Sequence, residues 1–259
     1  MALLELQNVS KHFGKLAALS NVSLEIERGE FVGLVGPNGS GKTTLFNVVS
    51  GFYSPSGGKV YYNGEDITGL RPDKITSKGL VRTFQSNILY KEATALENLV
   101  RASYLHSTTN SWKAFFNTRD YRENEKAIFE RAEAALAHWG LEEVRDVLAD
   151  ELPHGHQRRL GLAVAVAADP ELLLLDEPLA GMSGEERLVV MEHVRELSNQ
   201  GMTIVLVEHH VKTVLNLCER LLALDYGIKI ADGKPEEVTC QKDVVEAYLG
   251  AEEVVDQCS

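Results

Sequence analysis

The sequence predicts an α/β fold, with a parallel sheet core, an N-terminal antiparallel β subdomain and an inserted α-helical subdomain. Two apolar runs, at residues 172–175 and 203–207, have the length and composition of buried strands. The segment 185–200 between them has a helical pattern. Strands that alternate with helices in this way are typical of a parallel sheet.

The N-terminal part of the chain is predicted to be rich in β-strands. Short β-like segments between residues 3 and 35 are separated by turn residues. A further strand at residues 59–62 runs into Asn63-Gly64, which is a strong hairpin signal. A helix is expected at residues 43–49, directly after a glycine-rich loop.

A long stretch in the middle of the chain is predicted to be helical. Ile128, Ala132, Leu136 and Trp139 recur at helical spacing with charged residues between them. We interpret this stretch as a lobe inserted into a single domain. The expected division is a core at residues 1–92 and 169–250, a helical insertion at residues 93–168 and an acidic tail at residues 251–259.

Composition excludes some classes of function. The chain has 259 residues, a formal net charge of −12 and 44% hydrophobic residues, which suits a globular protein with a sizeable core. The acidic balance argues against nucleic acid as a partner, because phosphate binders usually carry a basic face. The longest apolar region, residues 160–175, is interrupted by Asp169-Pro170, so we predict no membrane span, which needs about 20 uninterrupted apolar residues.

The glycine-rich loop has the pattern G-x-x-x-x-G-K-[ST] between a predicted strand and a predicted helix. Glycines allow successive backbone N–H groups to point into one concavity, which binds phosphate oxygens. Lys42 is expected to reach the β- and γ-phosphates of ATP, and the Thr43 hydroxyl to bind Mg²⁺. The expected nucleotide-binding residues of the loop are Gly36, Pro37, Asn38, Gly39, Ser40, Gly41, Lys42, Thr43 and Thr44.

Two carboxylates follow the buried strand at residues 172–175. Ligands bind at the carboxyl ends of parallel strands, and Asp176 and Glu177 stand at such an end. Alone, such a pair is compatible with solvated acids. Beside a phosphate loop, we predict that Asp176 binds Mg²⁺ and that Glu177 is the general base for an attacking water.

A histidine ends the strand at residues 203–207. His209 alone is more often a structural residue whose hydrogen bonds are satisfied. Together with the phosphate loop and the two acids, it is better interpreted as a contact to the γ-phosphate.

These motifs together resemble the ATP-binding cassette family over nearly the whole chain, which implies a P-loop NTPase with a RecA-like core. In that family an aromatic residue at the position of Phe13 stacks on adenine. Gln85 matches the glutamine that senses Mg²⁺, and His209 matches the switch histidine. The resemblance thus implies catalytic roles for Lys42, Gln85, Glu177 and His209. The family works as a head-to-tail pair, and the segment that completes the partner's ATP site corresponds to Pro153, His154, Gly155 and His156.

Within the family, the chain resembles the ATPases of branched-chain amino-acid importers. The segment 81–85, the insert at residues 106–127 and the ending at residues 247–250 carry this resemblance. The aromatic insert fits either a partner contact or a locally packed loop. The resemblance implies two membrane permeases, a second ATPase chain, an indirect solute-binding partner and a place on the cytoplasmic face of the membrane. Two alternatives stay open, a lipopolysaccharide-export ATPase and a soluble scaffold of the same family.

The chain departs from the family at the segment expected to serve the opposite ATP site. Pro153 stands where the family has a serine, and proline offers neither a hydroxyl nor an N–H to a γ-phosphate. A protonated His156 would restore a donor. Because a homodimer would contain two weakened sites, we predict a heterodimer with a different ATPase.

Overall fold

The computed structural model describes residues 2–83, 89–104, 119–208 and 211–247, so the predicted site residues Gln85 and His209 lie outside the described residues. The chain forms two compact units. The first is built from residues 1–82, 171–177 and 194–259, and the second from residues 83–170 and 178–193.

The described residues form the following elements. The strands are β1 Leu4–Phe13, β2 Leu16–Ile26, β3 Phe31–Val35, β4 Gly57–Tyr62, β5 Glu65–Asp66, β6 Leu80–Arg82, β7 Leu172–Asp176, β8 Thr203–Val207, β9 Arg220–Asp225 and β10 Ile228–Gly233. The α-helices are α1 Lys42–Val49, α2 Pro72–Thr76, α3 Ala95–Ser103, α4 Arg119–His138, α5 His154–Ala167, α6 Gly184–Asn199, α7 Val211–Leu217, α8 Pro235–Thr239 and α9 Lys242–Ala247. A 3₁₀ helix spans Glu142–Val144.

Two sheets make up the first unit. The smaller sheet is antiparallel, with the strand order β2-β1-β4-β5. The larger has the order β10-β9-β3-β8-β7-β6, and every pair in it is parallel except β10 with β9. The predicted α/β class, with its parallel core and N-terminal antiparallel subdomain, is confirmed.

The parallel strands place the candidate site. Every residue of β3, β7 and β8 is buried, as expected for strands that are covered on both faces. Because these strands run in the same direction, their carboxyl ends lie at one edge of the sheet. Only β8 separates β3 from β7, so the segments that follow them begin about 10 Å apart.

A single apolar core joins the two sheets of the first unit. Its residues come from the antiparallel sheet, from α1 and from the parallel sheet, and include Leu6, Leu24, Phe46, Leu174 and Leu222. Helix α1 therefore contributes its apolar side to this core, while its N-terminus receives the glycine-rich loop. The loop is thus attached to a helix that packs into this core.

The predicted hairpin joins β4 to β5. Asn63 and Gly64 adopt φ angles of 56° and 78°, the pair of left-handed residues that a type I′ turn requires. Tyr62 pairs directly with Glu65 across the turn. The sequence signal and the observed turn therefore agree.

The second unit is mainly helical, as predicted. Helix α3 begins with a capping box, in which the Thr94 hydroxyl accepts from the Glu97 N–H and the Glu97 carboxylate accepts from the Thr94 N–H. Helix α3 packs against α4 and α5. The predicted apolar face of α4 is buried, and Trp139 directly after the helix stacks on His193 with ring centroids 4.8 Å apart.

Across the ranges that the structure describes, no helix combines the length and apolar character needed to cross a membrane.

Candidate active site

The glycine-rich loop connects the buried strand β3 to helix α1. Gly41 is the N-cap residue of α1 and has φ 108°, in the region that only glycine adopts without strain. A Cβ atom at Gly41 would lie 2.7 Å from the backbone oxygen of Ala18. The loop therefore needs glycine here for its conformation and for its close approach to β2.

Lys42 is buried within this loop. Its Nζ donates to the carbonyl oxygens of Gly36, at 2.7 Å, and Pro37, at 3.0 Å. Burial lowers the pKa of Lys42, and the charges of Glu177 and Asp176 oppose this shift. The lysine and both acids are therefore close enough to influence one another electrostatically.

Asp176 ends strand β7 and is almost fully buried. Its Oδ2 accepts from a terminal guanidinium nitrogen of Arg82 at 2.7 Å, and the exposed fractions of the two side chains are 5% and 4%. Arg82 also donates to the side chains of Asn47, at 2.7 Å, and Ser50, at 3.2 Å. This arginine therefore connects the predicted metal-binding acid to helix α1.

Glu177 leaves strand β7 with an unusual backbone conformation. Its φ is 49°, and its N–H donates to the Val207 oxygen of β8 at 2.9 Å. Residues other than glycine rarely adopt this conformation, and such outliers concentrate at functional sites. The two neighbouring acids therefore differ, since Asp176 still belongs to the strand and Glu177 turns out of it.

Phe13 lies at the end of β1, with 43% of its surface exposed. The ring of Tyr53 meets it edge-on, with centroids 5.3 Å apart, and the ammonium of Lys11 lies 5.1 Å from the Phe13 centroid. Lys11 is itself held by a 2.8 Å hydrogen bond to the Ser54 oxygen. An exposed aromatic ring held in this way is suited to stacking on a planar base.

The segment predicted to serve an opposite ATP site begins helix α5 in the second unit. Pro153 is the N-cap residue, no side chain caps the helix, and His154 is exposed. Gln157 donates from its side chain to the Leu152 oxygen at 3.0 Å. The helix start is thus well formed, while residue 153 presents no hydroxyl.

Gly155 in this segment lies against the start of helix α6. A Cβ atom at Gly155 would lie 1.8 Å from Oε1 of Glu186. The other carboxylate oxygen of Glu186 accepts from the Ser183 N–H at 2.9 Å, and this hydrogen bond lowers the pKa of Glu186. Glycine is therefore required for the capping carboxylate to keep its place.

His156 follows Gly155 in the first turn of α5 and is half-buried. Burial, with a smaller contribution from Arg159, lowers its pKa, while Glu186 and Glu143 act in the opposite direction. Its Nδ1 is buried and has no hydrogen-bond partner among the described residues. Burial therefore favours the neutral form of the ring, and a donor at His156 toward an opposite ATP site stays a prediction.

The fold and the phosphate-loop geometry define the class of this protein. The ABC transporter family matches residues 19–180, and the chain belongs to the ATP-binding subunits of this family, which are ATPases that bind ATP. A second family, described as the branched-chain amino acid ATP-binding cassette transporter, matches residues 229–254.

The chain is also similar to individual transport ATPases and to solved structures of ATP-binding cassettes. The chain is 39% identical over 249 residues to the high-affinity branched-chain amino acid transport ATP-binding protein BraF of Pseudomonas aeruginosa, covering 96% of this chain and 98% of BraF. The ADP conformation of MJ1267, an ATP-binding cassette of an ABC transporter, superimposes with a TM-score of 0.81 at 33% identity, over 96% of this chain and 99% of that one. A dimeric post-hydrolysis state of the cassette MJ0796 bound to ADP and Pi matches with a TM-score of 0.75 at 28% identity, over 90% and 98% of the chains.

The contact between Arg82 and Asp176 is not evident from the sequence. The available signal was a charged residue that ends an apolar strand, β6, which pairs with β7. The sequence alone did not reveal that pairing, because the two residues are 94 positions apart.

Proposed function

We propose that this chain is the ATP-hydrolysing subunit of a transporter that imports branched-chain amino acids or related small polar solutes. The observation that carries this proposal is the match of residues 229–254 to the branched-chain amino acid cassette family, together with the near full-length similarity to BraF. These findings favour the importer over the lipopolysaccharide-export and soluble-scaffold alternatives.

In this proposal the loop of residues 36–44 binds the phosphates of ATP. The backbone N–H groups of the loop and the start of α1 bind the phosphate oxygens, and Lys42 exchanges its carbonyl partners for the β- and γ-phosphates. Phe13 stacks on the adenine. The buried site lowers the effective dielectric constant, so each of these charged contacts is stronger than in water.

The residues expected at the metal position suit Mg²⁺. Thr43, Asp176 and Gln85 all offer oxygen ligands, which hard divalent cations prefer. A bound Mg²⁺ would supply charge neutralisation for the phosphates. Asp176 is already held by Arg82 at the sheet edge where the phosphate loop begins, which supports its assignment as a ligand.

Glu177 is the proposed general base. It accepts a proton from the water that attacks the γ-phosphate, while Gln85 and His209 contact the reacting groups. Phosphoryl transfer depends mainly on positioning and charge neutralisation, and the hydrogen bond from the Glu177 N–H to Val207 holds the backbone from which this carboxylate projects.

The proposed assembly contains two membrane permeases and a second, different ATPase chain, at the cytoplasmic face of the membrane. A solute-binding protein outside the membrane delivers the substrate to the permeases. The uncapped start of α5 at Pro153 supports the heterodimer, because two copies of this chain would give two ATP sites without the serine hydroxyl. No nucleic-acid partner is proposed.

Purification from native membranes tests the assembly. The chain is tagged, extracted in mild detergent and analysed by mass spectrometry for the proteins bound to it. Two permeases and a second ATPase in equal amounts are expected. Recovery of this ATPase alone with one kind of permease would contradict the heterodimer, and soluble partners without a permease would contradict the importer.

A binding measurement tests the nucleotide site separately. Lys42→Ala is expected to weaken ATP binding by at least a hundredfold, because hydrogen bonds to charged groups contribute about 1.5–3 kcal/mol each. Lys234→Ala, a change at an exposed lysine, serves as the control in the same titration calorimetry. Unchanged affinity in a folded Lys42→Ala variant would refute the phosphate-binding role of the loop.

A further inference from the structure

The turn between β9 and β10 contacts the phosphate loop, although it lies far from that loop in the sequence. Tyr226 and Gly227 form this turn, with φ angles of 43° and 77°, and Asp225 pairs with Ile228 across it. Tyr226 is 82% exposed, so its side chain contributes little to the contact. The contact is made by the backbone of Gly227.

Both backbone hydrogen-bonding groups of Gly227 are used in this contact. Its N–H donates to the carbonyl oxygen of Ser40, inside the phosphate loop, at 2.8 Å. Its own carbonyl accepts from the N–H of Ser20 on β2, also at 2.8 Å. Gly227 therefore connects the loop, the β9–β10 turn and the antiparallel sheet.

Steric contacts leave no space for a side chain at this position. A Cβ atom on Gly227 would lie 2.6 Å from the oxygen of Ala18 and 2.9 Å from the Cα of Leu19, which are backbone atoms that cannot rotate away. The same Ala18 oxygen leaves no space for a side chain at Gly41. A Cβ atom on Gly41 would also lie 3.4 Å from the Cα of Gly227. Gly227, Ala18 and Gly41 are therefore packed directly against one another.

Strand β9, which precedes the turn, contacts the first residue of the phosphate loop, Gly36. A Cβ atom on Gly36 would lie 2.2 Å from the Leu224 oxygen of β9. The β9–β10 hairpin thus excludes a side chain at Gly36, donates a hydrogen bond to the carbonyl of Ser40 and packs near Gly41. A phosphate loop binds only while its N–H groups converge, so whatever fixes its backbone also fixes its affinity.

We propose that Gly227 is a positioning residue for phosphate binding, which holds the loop of residues 36–44 in its binding shape without touching the nucleotide. This inference rests on the proposed function of the loop. It assigns to the β9–β10 turn a role in nucleotide affinity that the sequence analysis did not anticipate.

Amide hydrogen exchange in the unmodified protein tests this proposal without any risk of misfolding. Gly201 is a matched reference, because its N–H makes a 2.8 Å hydrogen bond to the Ser198 oxygen and its φ of 90° is also left-handed. Saturating ATP is expected to slow exchange at Gly227 by about tenfold relative to Gly201. Protection of the loop amides with no change at Gly227 would overturn the proposal.

A pair of alanine variants tests the same point through affinity. Gly227→Ala is expected to raise the Kd for both ATP and inorganic triphosphate by at least tenfold and to shift the amide resonances of Gly36, Gly39 and Gly41. Gly201→Ala carries the same left-handed strain with no atom within 4 Å of the new methyl group. It should change neither the Kd values nor the amide resonances of the loop.

The outcomes separate this inference from the function on which it rests. Normal affinity and unmoved loop resonances in a folded Gly227→Ala variant, beside weak binding by Lys42→Ala, would overturn the positioning role and leave the phosphate loop intact. Normal binding by Lys42→Ala would refute the loop's function itself. If Gly227→Ala does not fold, the exchange measurement on the unmodified protein decides.

Discussion

The phosphate loop and the start of helix α5 are both predicted to contact ATP, and they differ in how they are built. The loop keeps its family pattern, and backbone contacts from β2 and the β9–β10 turn surround it. The start of α5 has Pro153 at the position where the family resemblance implies a serine, and its Gly155 lies against Glu186. The loop is therefore held by contacts from distant strands, whereas the predicted role of residue 153 depends on its own side chain.

Among the changes that test this comparison, the largest effect on ATP hydrolysis is expected at Glu177. Glu177→Gln should keep ATP binding and lower the rate of hydrolysis by about 10²–10⁴-fold, the usual contribution of a general base. Steady-state turnover by the assembled transporter and titration of ATP measure the two properties. Glu185→Gln, in the exposed first turn of α6, is the control. Turnover at the normal rate by the Gln variant would remove Glu177 from the role of base.

The buried pair of Arg82 and Asp176 gives the next largest effect. Arg82→Ala leaves a carboxylate that is 5% exposed without this partner, so the free energy of unfolding should fall by about 3–5 kcal/mol. Arg71→Ala breaks a 3.0 Å pair in which Arg71 is 82% exposed, and should cost at most about 1 kcal/mol. Urea denaturation compares the two, and equal losses would show that burial of the Arg82 pair has no influence.

A serine at position 153 tests the predicted role of the start of helix α5. Pro153→Ser should raise turnover of the assembled transporter about tenfold or more, because one or two hydrogen bonds to a charged phosphate are regained. Binding of ATP by the isolated chain should not change. Pro235→Ser, at the start of α8, controls for the loss of a proline at a helix start. Unaltered turnover in the serine variant would mean that the weakened-site hypothesis is wrong.

A smaller effect is expected at Gly155. Gly155→Ala places a methyl group against the Glu186 carboxylate and should destabilise the protein by about 1–3 kcal/mol. Adding Glu186→Ala should recover part of this loss, because the colliding group is then absent. A double-mutant cycle in urea measures the coupling, and additive losses would show that the two positions are independent.

The smallest expected effect is a pH dependence caused by His156. Its folded pKa lies below 6.5, so the unfolded chain binds more protons at this group than the folded one as the pH falls below 6.5. Acidification should therefore lower the stability of the unmodified protein until the pH passes the folded pKa. His156→Gln should lose less stability over the same range in urea titrations, and an identical loss would show that His156 is not responsible.

Buried strands and helices were predictable because their apolar patterns are continuous. The strands at residues 31–35, 172–175 and 203–207 and the face of α4 were all found as expected. Strands β1 and β2 were longer than predicted, because exposed polar residues such as Gln7 and His12 and several register shifts hide the alternation.

Candidate site residues could be named from the sequence where one local motif carries the chemistry, as in the phosphate loop and the two acids at the end of β7. The contacts of Arg82 and Gly227 were not predictable, because each joins residues that are distant in sequence and depends on the order of strands in a sheet. Burial also lowers the pKa of His156, and the sequence gives no direct measure of the burial of a single side chain.

The contact between Gly155 and Glu186 has an evolutionary consequence. Because a side chain at position 155 would displace the Glu186 carboxylate, we expect a larger residue at position 155 to be accompanied by a shorter one at position 186. Relatives that have lost glycine at the first position should therefore carry a small residue at the second. Covariation of these two columns would be visible among homologous sequences even where the serine position has drifted freely.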